Sequence, residues 1–281
     1  MADLVAGIGV SHIPALGAAM EGSGSGPAAA VFEKFSPVRQ WARELALDTV
    51  IVVYNDHASA FSMELLPTFA IGAAESYAPA DEGYGARNVP IARGDGDLSW
   101  HLIESLIPEG FDLAVAQKLD VDHGLTVPLT VVFGTPEVWP VKVVPIEVNV
   151  VQQPTPSAQR CFDLGRAIGR AVASFPEPAR IGIIGTGGMS HQLQGTRAGH
   201  INSEFDRMFL TDIVDKPQRL AELSNTDYIR EAGSEGAELV MWLVMRGALG
   251  DDVSGVHSAY HVPVSNTAAG LVAIDNHGGT Q

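Results

Sequence analysis

Short runs rich in Val and Ile alternate along the chain with stretches of a dozen or more residues in which apolar positions recur at helical spacing. That is the pattern of an α/β protein. Strands are predicted over 4–10, 49–54, 68–73, 113–117, 141–151, 180–184 and 270–274. Several are apolar throughout, as strands of a sheet covered on both faces are. Helices are predicted over 31–47, 98–107, 157–174, 203–214, 217–223 and 234–248, several opening on Ser, Asp or Pro. The expected fold class is therefore α/β, with a central mixed sheet flanked by helices. No internal repeat, low-complexity tract or charge block divides the chain, so residues 1–281 read as a single domain. Two irregular segments, EGSGSGPAAA (21–30) and APADEGYGARNVPIARGDGD (78–97), lie near candidate chemistry and are expected to act as covers.

Composition narrows the partners. At 281 residues the chain can bury roughly three quarters of its unfolded surface, so its core needs no disulfide or structural metal. Thirty-three acidic against 17 basic residues give a formal net charge of −16, which disfavours capture of nucleic acid or an anionic membrane. The lone Cys161, in a helix-like stretch, excludes CxxC zinc sites and reads as an inert buried thiol of a reducing compartment. With no basic leader and no apolar run near the roughly 18 residues of a spanning helix, the sequence reads as cytoplasmic.

The nine histidines carry more information. In GIGVSHIP the strand runs out at Val10 and delivers His12 before a proline that blocks continuation as a helix. In IVVYNDHAS a stronger strand ends in Asn55, Asp56 and His57. Ligands of open α/β sheets gather beyond the carboxyl ends of strands, so these two imidazoles can converge on one crevice. Taken singly, each also reads as a histidine satisfying loop backbone. Asp56, facing away from its neighbour on an extended chain, reads as a structural group and not a co-ligand.

The third feature is GSEGAELVMWLVMRGAL. Seven apolar residues follow Glu238, so this helix should be buried, and an ionised carboxylate entering it demands a cation or a full set of hydrogen bonds. Glu235 and Glu238 could both simply complement the helix dipole, which suits Glu235 better than Glu238. Two neutral imidazoles and one carboxylate make a facial triad that leaves half an iron(II) coordination sphere open; zinc would accept the same ligands.

His191 stands in IGIIGTGGMSHQLQG, where GTGG lacks both the GxGxxG spacing and the Lys-Ser/Thr of a phosphate loop, so a tight turn presenting His191 is expected. His123, in LDVDHGLTVP, follows a strand candidate and is a candidate acid, base or hydrogen-bond donor. His101, His200, His257, His261 and His277 read as structural or exposed, with His261, in SAYHVPVSNTA, the most open of the five.

Taken together and in order, SHIPALG, VYNDHAS, DVDHG, GTGGMSHQLQG, GSEGAELVMWLVMRGAL and YHVPVSNTA resemble the class III extradiol ring-cleavage dioxygenases, in particular catalytic β subunits of the protocatechuate 4,5-dioxygenase kind. The resemblance implies iron(II) on His12, His57 and Glu238, an acid–base role for His191, and a pocket role for His123. It implies that Asn55, Ser265 and Asn266 line the substrate pocket. It further implies a carboxylated catechol substrate (protocatechuate, with gallate or a methoxylated relative as alternatives), dioxygen as co-substrate and a ring-opened muconate semialdehyde-type product. A small α subunit capping the site in an α2β2 assembly is also implied. The rival readings are a zinc-dependent hydrolase on the same ligands and a non-catalytic binding relative. Retention of both ligand histidines, Glu238 and His191 counts against the latter.

Overall fold

A computed structural model of the chain describes residues 1–22, 24–262 and 267–278. The strands are β1 (Asp3–Val10), β2 (Thr49–Tyr54), β3 (Phe69–Gly72), β4 (Ser76–Tyr77), β5 (Ala92–Arg93), β6 (Ala114–Ala116), β7 (Lys142–Val148), β8 (Arg180–Thr186), β9 (Val253–His261) and β10 (Ala269–Asn276). The helices are α1 (Pro14–Glu21), α2 (Ala29–Phe35), α3 (Pro37–Glu44), α4 (Gly96–Leu106), α5 (His123–Phe133), α6 (Ala158–Ser174), α7 (Ser203–Asp215), α8 (Pro217–Ala221), α9 (Asn225–Ala232) and α10 (Val240–Ala248).

Eight strands form one mixed sheet in the order β6-β3-β7-β2-β8-β1-β10-β9, with β4 and β5 paired separately. The central four, β7, β2, β8 and β1, are mutually parallel, while β3 and β10 run antiparallel to their inner neighbours. The parallel strands thus all end at one pole. Along β2 the side chains alternate between two cores: Ile51 and Val53 join the layer containing α6 and α10, and Val50, Val52 and Tyr54 join the layer containing α3 and α5. The expected α/β sandwich around a mixed sheet is therefore what the chain forms.

The depth at which α10 lies on the sheet is set by glycines. A Cβ at Gly9 would stand 2.2 Å from the Trp242 ring, and one at Gly185 2.8 Å from Met245 Cβ. Bare backbone in β1 and β8 thus lets the bulky face of α10 approach the two strands closely. On the far side of α10 a Cβ at Gly165 would stand 2.1 Å from the Val244 carbonyl, so α6 and α10 also touch nearly backbone to backbone.

Several boundaries depart from expectation. Pro14 does not stop a helix; it starts α1, because a proline in the first turn loses no intrahelical bond. The predicted helix 31–47 is broken at Ser36, where Pro37 opens α3. The predicted strand 141–151 ends at Val148, and the predicted helix 234–248 begins as a 3-10 turn over Glu235–Leu239. β4, β5, β9, α1, α5 and α9 are additional to the expected elements. β9 is largely exposed at the sheet's edge, and α9 is announced by a capping box between Ser224 and Asp227. Among the described residues no helix is long and apolar enough to cross a membrane.

Candidate active site

The carboxyl ends of β1 and β2 deliver His12 and His57, as the sequence suggests. Beside them stands His123, not at a strand end as expected but as the first residue of α5. The rings of His12 and His57 lie 5.1 Å apart, those of His12 and His123 5.7 Å, and His57 stacks on His123 at 4.0 Å. One ring nitrogen from each of the three lies within 4.8 Å of the others, a spacing that one metal ion can span. Glu238 approaches the cluster on its His12 side from the 3-10 turn leading into α10, its Oε2 lying 3.2 Å from His12 Nε2 and 3.9 Å from His191 Nε2, outside the group of three rings that closes within 4.8 Å. The Gly188 N–H donates to this carboxylate at 2.6 Å.

Each imidazole is held by its other nitrogen. His12 Nδ1 lies 3.1 Å from Thr186 Oγ1, and His191 Nδ1 donates to the Met189 carbonyl at 2.8 Å. His57 Nδ1 donates to Asp122 Oδ2 at 2.9 Å, and that oxygen also accepts the His57 backbone N–H at 2.6 Å. His123 donates its Nδ1–H and its backbone N–H to Glu82. At His12, His123 and His191, fixing the outer nitrogen leaves the Nε2 lone pair for a metal or a proton, the usual device around metal-bound histidines, whereas His57 Nε2 here accepts from Asn55 and would give up that bond to a metal.

The charges agree with this arrangement. Burial opposes ionisation of Glu238, yet His12, then His191 and His57, outweigh it and hold the carboxyl far below the ordinary range. Asp122 is likewise opposed by burial but ends below its usual value through His57. His57 loses basicity to burial and regains more from Asp122, ending raised. Burial first, and then the neighbouring His57 and His12, push His123 down to about 4. The donor set is imidazole nitrogen and carboxylate oxygen without thiolate; Cys161 is buried in the core, where burial pushes its thiol up. Such a set fits a first-row divalent ion.

Asn55 joins the cluster, its Nδ2 donating to His57 Nε2 at 3.1 Å while its buried Oδ1 has no partner. Ser265 and Asn266 lie outside the described residues; the next described residue, Thr267, forms a bridge with His191. Asp56 is structural, as expected, capping a turn by accepting the N–H groups of Ser59, Ala60 and Phe61. His101, His200, His257 and His277 bond to Ala171 O, Glu231 O, Lys34 O and Ser254 Oγ. His261 instead borders a small apolar pocket with Ile13, Leu16 and Val31.

Sequence reasoning missed Thr186, Gly188, Asp122 and Glu82. GTGG proves to be more than a turn presenting His191. Gly187, at φ +129°, leaves room where a Cβ would stand 2.8 Å from Glu238 Cβ, so this strand end wraps the carboxylate. The signal for Asp122 was its place immediately before a histidine, where it also caps α5 by accepting the Gly124 N–H.

A mixed α/β sheet whose central parallel strands end at three clustered imidazoles, with a buried carboxylate beside them, defines a site with the ligand chemistry of a metal centre. Residues 6–272 match the model of the family described as the catalytic LigB subunit of aromatic ring-opening dioxygenase, and the chain belongs to that extradiol-type family. It is 41% identical over 197 residues to a gallate dioxygenase of Pseudomonas putida, a match covering 70% of this chain and 58% of that protein's length. It is 30% identical to a 2,3-dihydroxyphenylpropionate/2,3-dihydroxicinnamic acid 1,2-dioxygenase of Burkholderia vietnamiensis, covering 88% of this chain and 91% of the relative. Among solved structures, an uncharacterised protein from Escherichia coli K12 shares the fold with a TM-score of 0.61 at 14% identity, covering 96% of this chain and 99% of the other.

Proposed function

We propose that residues 1–281 act as one catalytic domain that opens the ring of a carboxylated catechol with dioxygen, using iron(II) held by His12, His57 and Glu238. The observation that carries this reading is the gathering of His12, His57 and His123 within the span of one ion, with the buried Glu238 carboxylate 3.2 Å from His12 Nε2, in a member of a ring-opening dioxygenase family. Iron(II) would supply a charge that favours catechol deprotonation and a centre at which catechol and dioxygen meet.

The chain's own groups do the rest. His191, whose Nδ1–H is committed to the Met189 carbonyl, presents Nε2 as the base that takes a catechol hydroxyl proton and later returns it. His123 presents Nε2 toward the same space and acts as a hydrogen-bond acceptor to a hydroxyl. Asn55, already half satisfied, offers its carboxamide to the substrate, with Ser265 and Asn266 as the partners of the ring carboxylate. Both atoms of dioxygen enter the product, one at each end of the broken ring bond, in a muconate semialdehyde-type acid. Protocatechuate and gallate both present the required carboxylate and adjacent hydroxyls, and gallate is the substrate named for the Pseudomonas relative. A small α-type subunit over the cleft, in an α2β2 assembly, completes the proposal.

The test is anaerobic loading with iron(II) or zinc(II), followed by oxygen uptake with protocatechuate, gallate, 3-O-methylgallate and 3-(2,3-dihydroxyphenyl)propionate. Iron-dependent uptake with one or more of the benzoates is expected. Turnover with zinc alone, or no uptake with any catechol, overturns the assignment.

A further inference from the structure

The loop 78–97 contributes one group that the proposed chemistry does not use. Asp81 Oδ1 accepts the N–H groups of Gly83 and Gly85, at 2.9 and 2.8 Å, and both glycines sit at φ +94°. This tight turn is tied to the segment before His123, since Ala80 N–H donates to the Val121 carbonyl and Val121 N–H to the Ala78 carbonyl. The turn thereby holds Glu82 over the start of α5. Its Oε1 accepts the His123 backbone N–H at 3.0 Å, its Oε2 accepts the His123 Nδ1–H, and the Tyr84 hydroxyl donates to Oε2 at 3.2 Å.

The contact repeats, from an unrelated part of the chain, what Asp122 does for His57: one carboxylate takes both the backbone N–H and the Nδ1–H of one histidine. The two rings so held are the stacked pair. A ring gripped at both points can neither flip nor exchange its proton between nitrogens without breaking a charge-assisted bond.

We propose that Glu82 is the positioning residue for His123, the DEGYG turn existing to fix that ring in its Nδ1–H tautomer with Nε2 facing the substrate. This rests on the dioxygenase reading of the cleft, but the tautomer itself does not depend on turnover.

The experiment compares the wild type with Glu82→Ala and Glu82→Gln. Metal-free protein labelled with 15N-histidine is examined by long-range 1H–15N correlation, the His123 signals being assigned by their loss in His123→Gln. Iron(II) uptake, kcat and KM are then measured on the loaded enzymes. Glu82→Ala should lose the Nδ1–H signature of His123, keep that of His57, bind iron as before, and show kcat reduced about 10–100-fold with KM little changed. Glu82→Gln, with one amide oxygen left to accept, should recover part of both the signature and kcat. The proposal is overturned if Glu82→Ala keeps the signature and kcat, or if it loses iron and the His57 signature together. Should Glu82→Ala not fold, an unchanged spectrum and kcat in Glu82→Gln overturn it equally. If the wild type opens no catechol while Glu82→Ala still loses the Nδ1–H signature of His123, the dioxygenase reading fails and Glu82's grip on His123 stands.

Discussion

The two halves of the cleft are built by different means. On one side, His12 and Glu238 stand just beyond β1 and on the turn into α10, both nine-tenths buried, where glycines in β1 and β8 bring α10 hard against the sheet. On the other, His57 and His123 stand on a loop and a helix start, and carboxylates from elsewhere in the chain grip them. The first half is positioned by packing, which tolerates little change in volume; the second by hydrogen bonds, which can be cut one at a time.

The comparison breaks most sharply at a proposed ligand. His12→Ala should abolish iron retention and ring cleavage while leaving the fold, since small alanine at a strand end disturbs neither core. Iron content after anaerobic loading, beside a circular dichroism melt, checks this, and full iron occupancy would move His12 out of the ligand set.

Next in size is the packed half struck without touching a ligand. Gly9→Ala drives a methyl into the Trp242 ring and should cost about 1–3 kcal/mol, lowering the denaturation midpoint. Its effect on activity should follow through Gly187, whose carbonyl accepts the Trp242 Nε1–H and whose bare Cα faces Glu238. An unchanged midpoint would mean that α10 can retreat freely, and that packing does not place the carboxylate.

The hydrogen-bonded half should answer differently. Asp122→Asn is expected to weaken iron affinity about 10–100-fold, because the neutral amide loses the negative charge facing the His57 Nδ1–H and has one acceptor oxygen left for His57 and the Gly124 N–H together. Competition with a chelator reads the affinity directly; an unaltered value would reduce the contact to a structural one.

The effect expected to be smallest on activity concerns Glu147, at the end of β7 next to Tyr54. Burial, then Asp56 and Asp122, push its carboxyl up to about 9, and Oε2 has no partner. The unfolded chain releases this proton near the ordinary carboxylate value, whereas the folded chain retains it. Glu147 therefore costs stability increasingly as pH rises from about 4.5 toward 9, with a slope no steeper than about 1.4 kcal/mol per pH unit. Glu147→Gln should flatten that slope between pH 5 and 8 in urea titrations, and parallel curves for the two proteins would contradict a neutral Glu147.

The same division explains what was legible in the sequence. His12 and His57 announce themselves at the ends of apolar runs, and Glu238 by the seven apolar residues behind it. The central parallel strands are readable for the same reason. α5 was hidden because it is buried all round and carries Pro128, so it shows neither helical periodicity nor an uninterrupted helix-forming run. β9 was hidden because an edge strand need not be apolar. Asp122 and Glu82 hold histidines 65 and 41 positions away, pairings that exist only once the sheet has brought loop and helix together. Glu147 was passed over inside an apolar strand, where a single acidic letter gives no sign that it is buried.

Asp122 spends one oxygen capping α5 and the other holding His57. The first turn of that helix is thus a shared hinge between shape and chemistry. If heat frays this turn, the grip on His57 goes with it, while the sheet and α10 stay intact. Thermal inactivation would then begin as a local event, and cooling would restore activity as long as the iron had not diffused away.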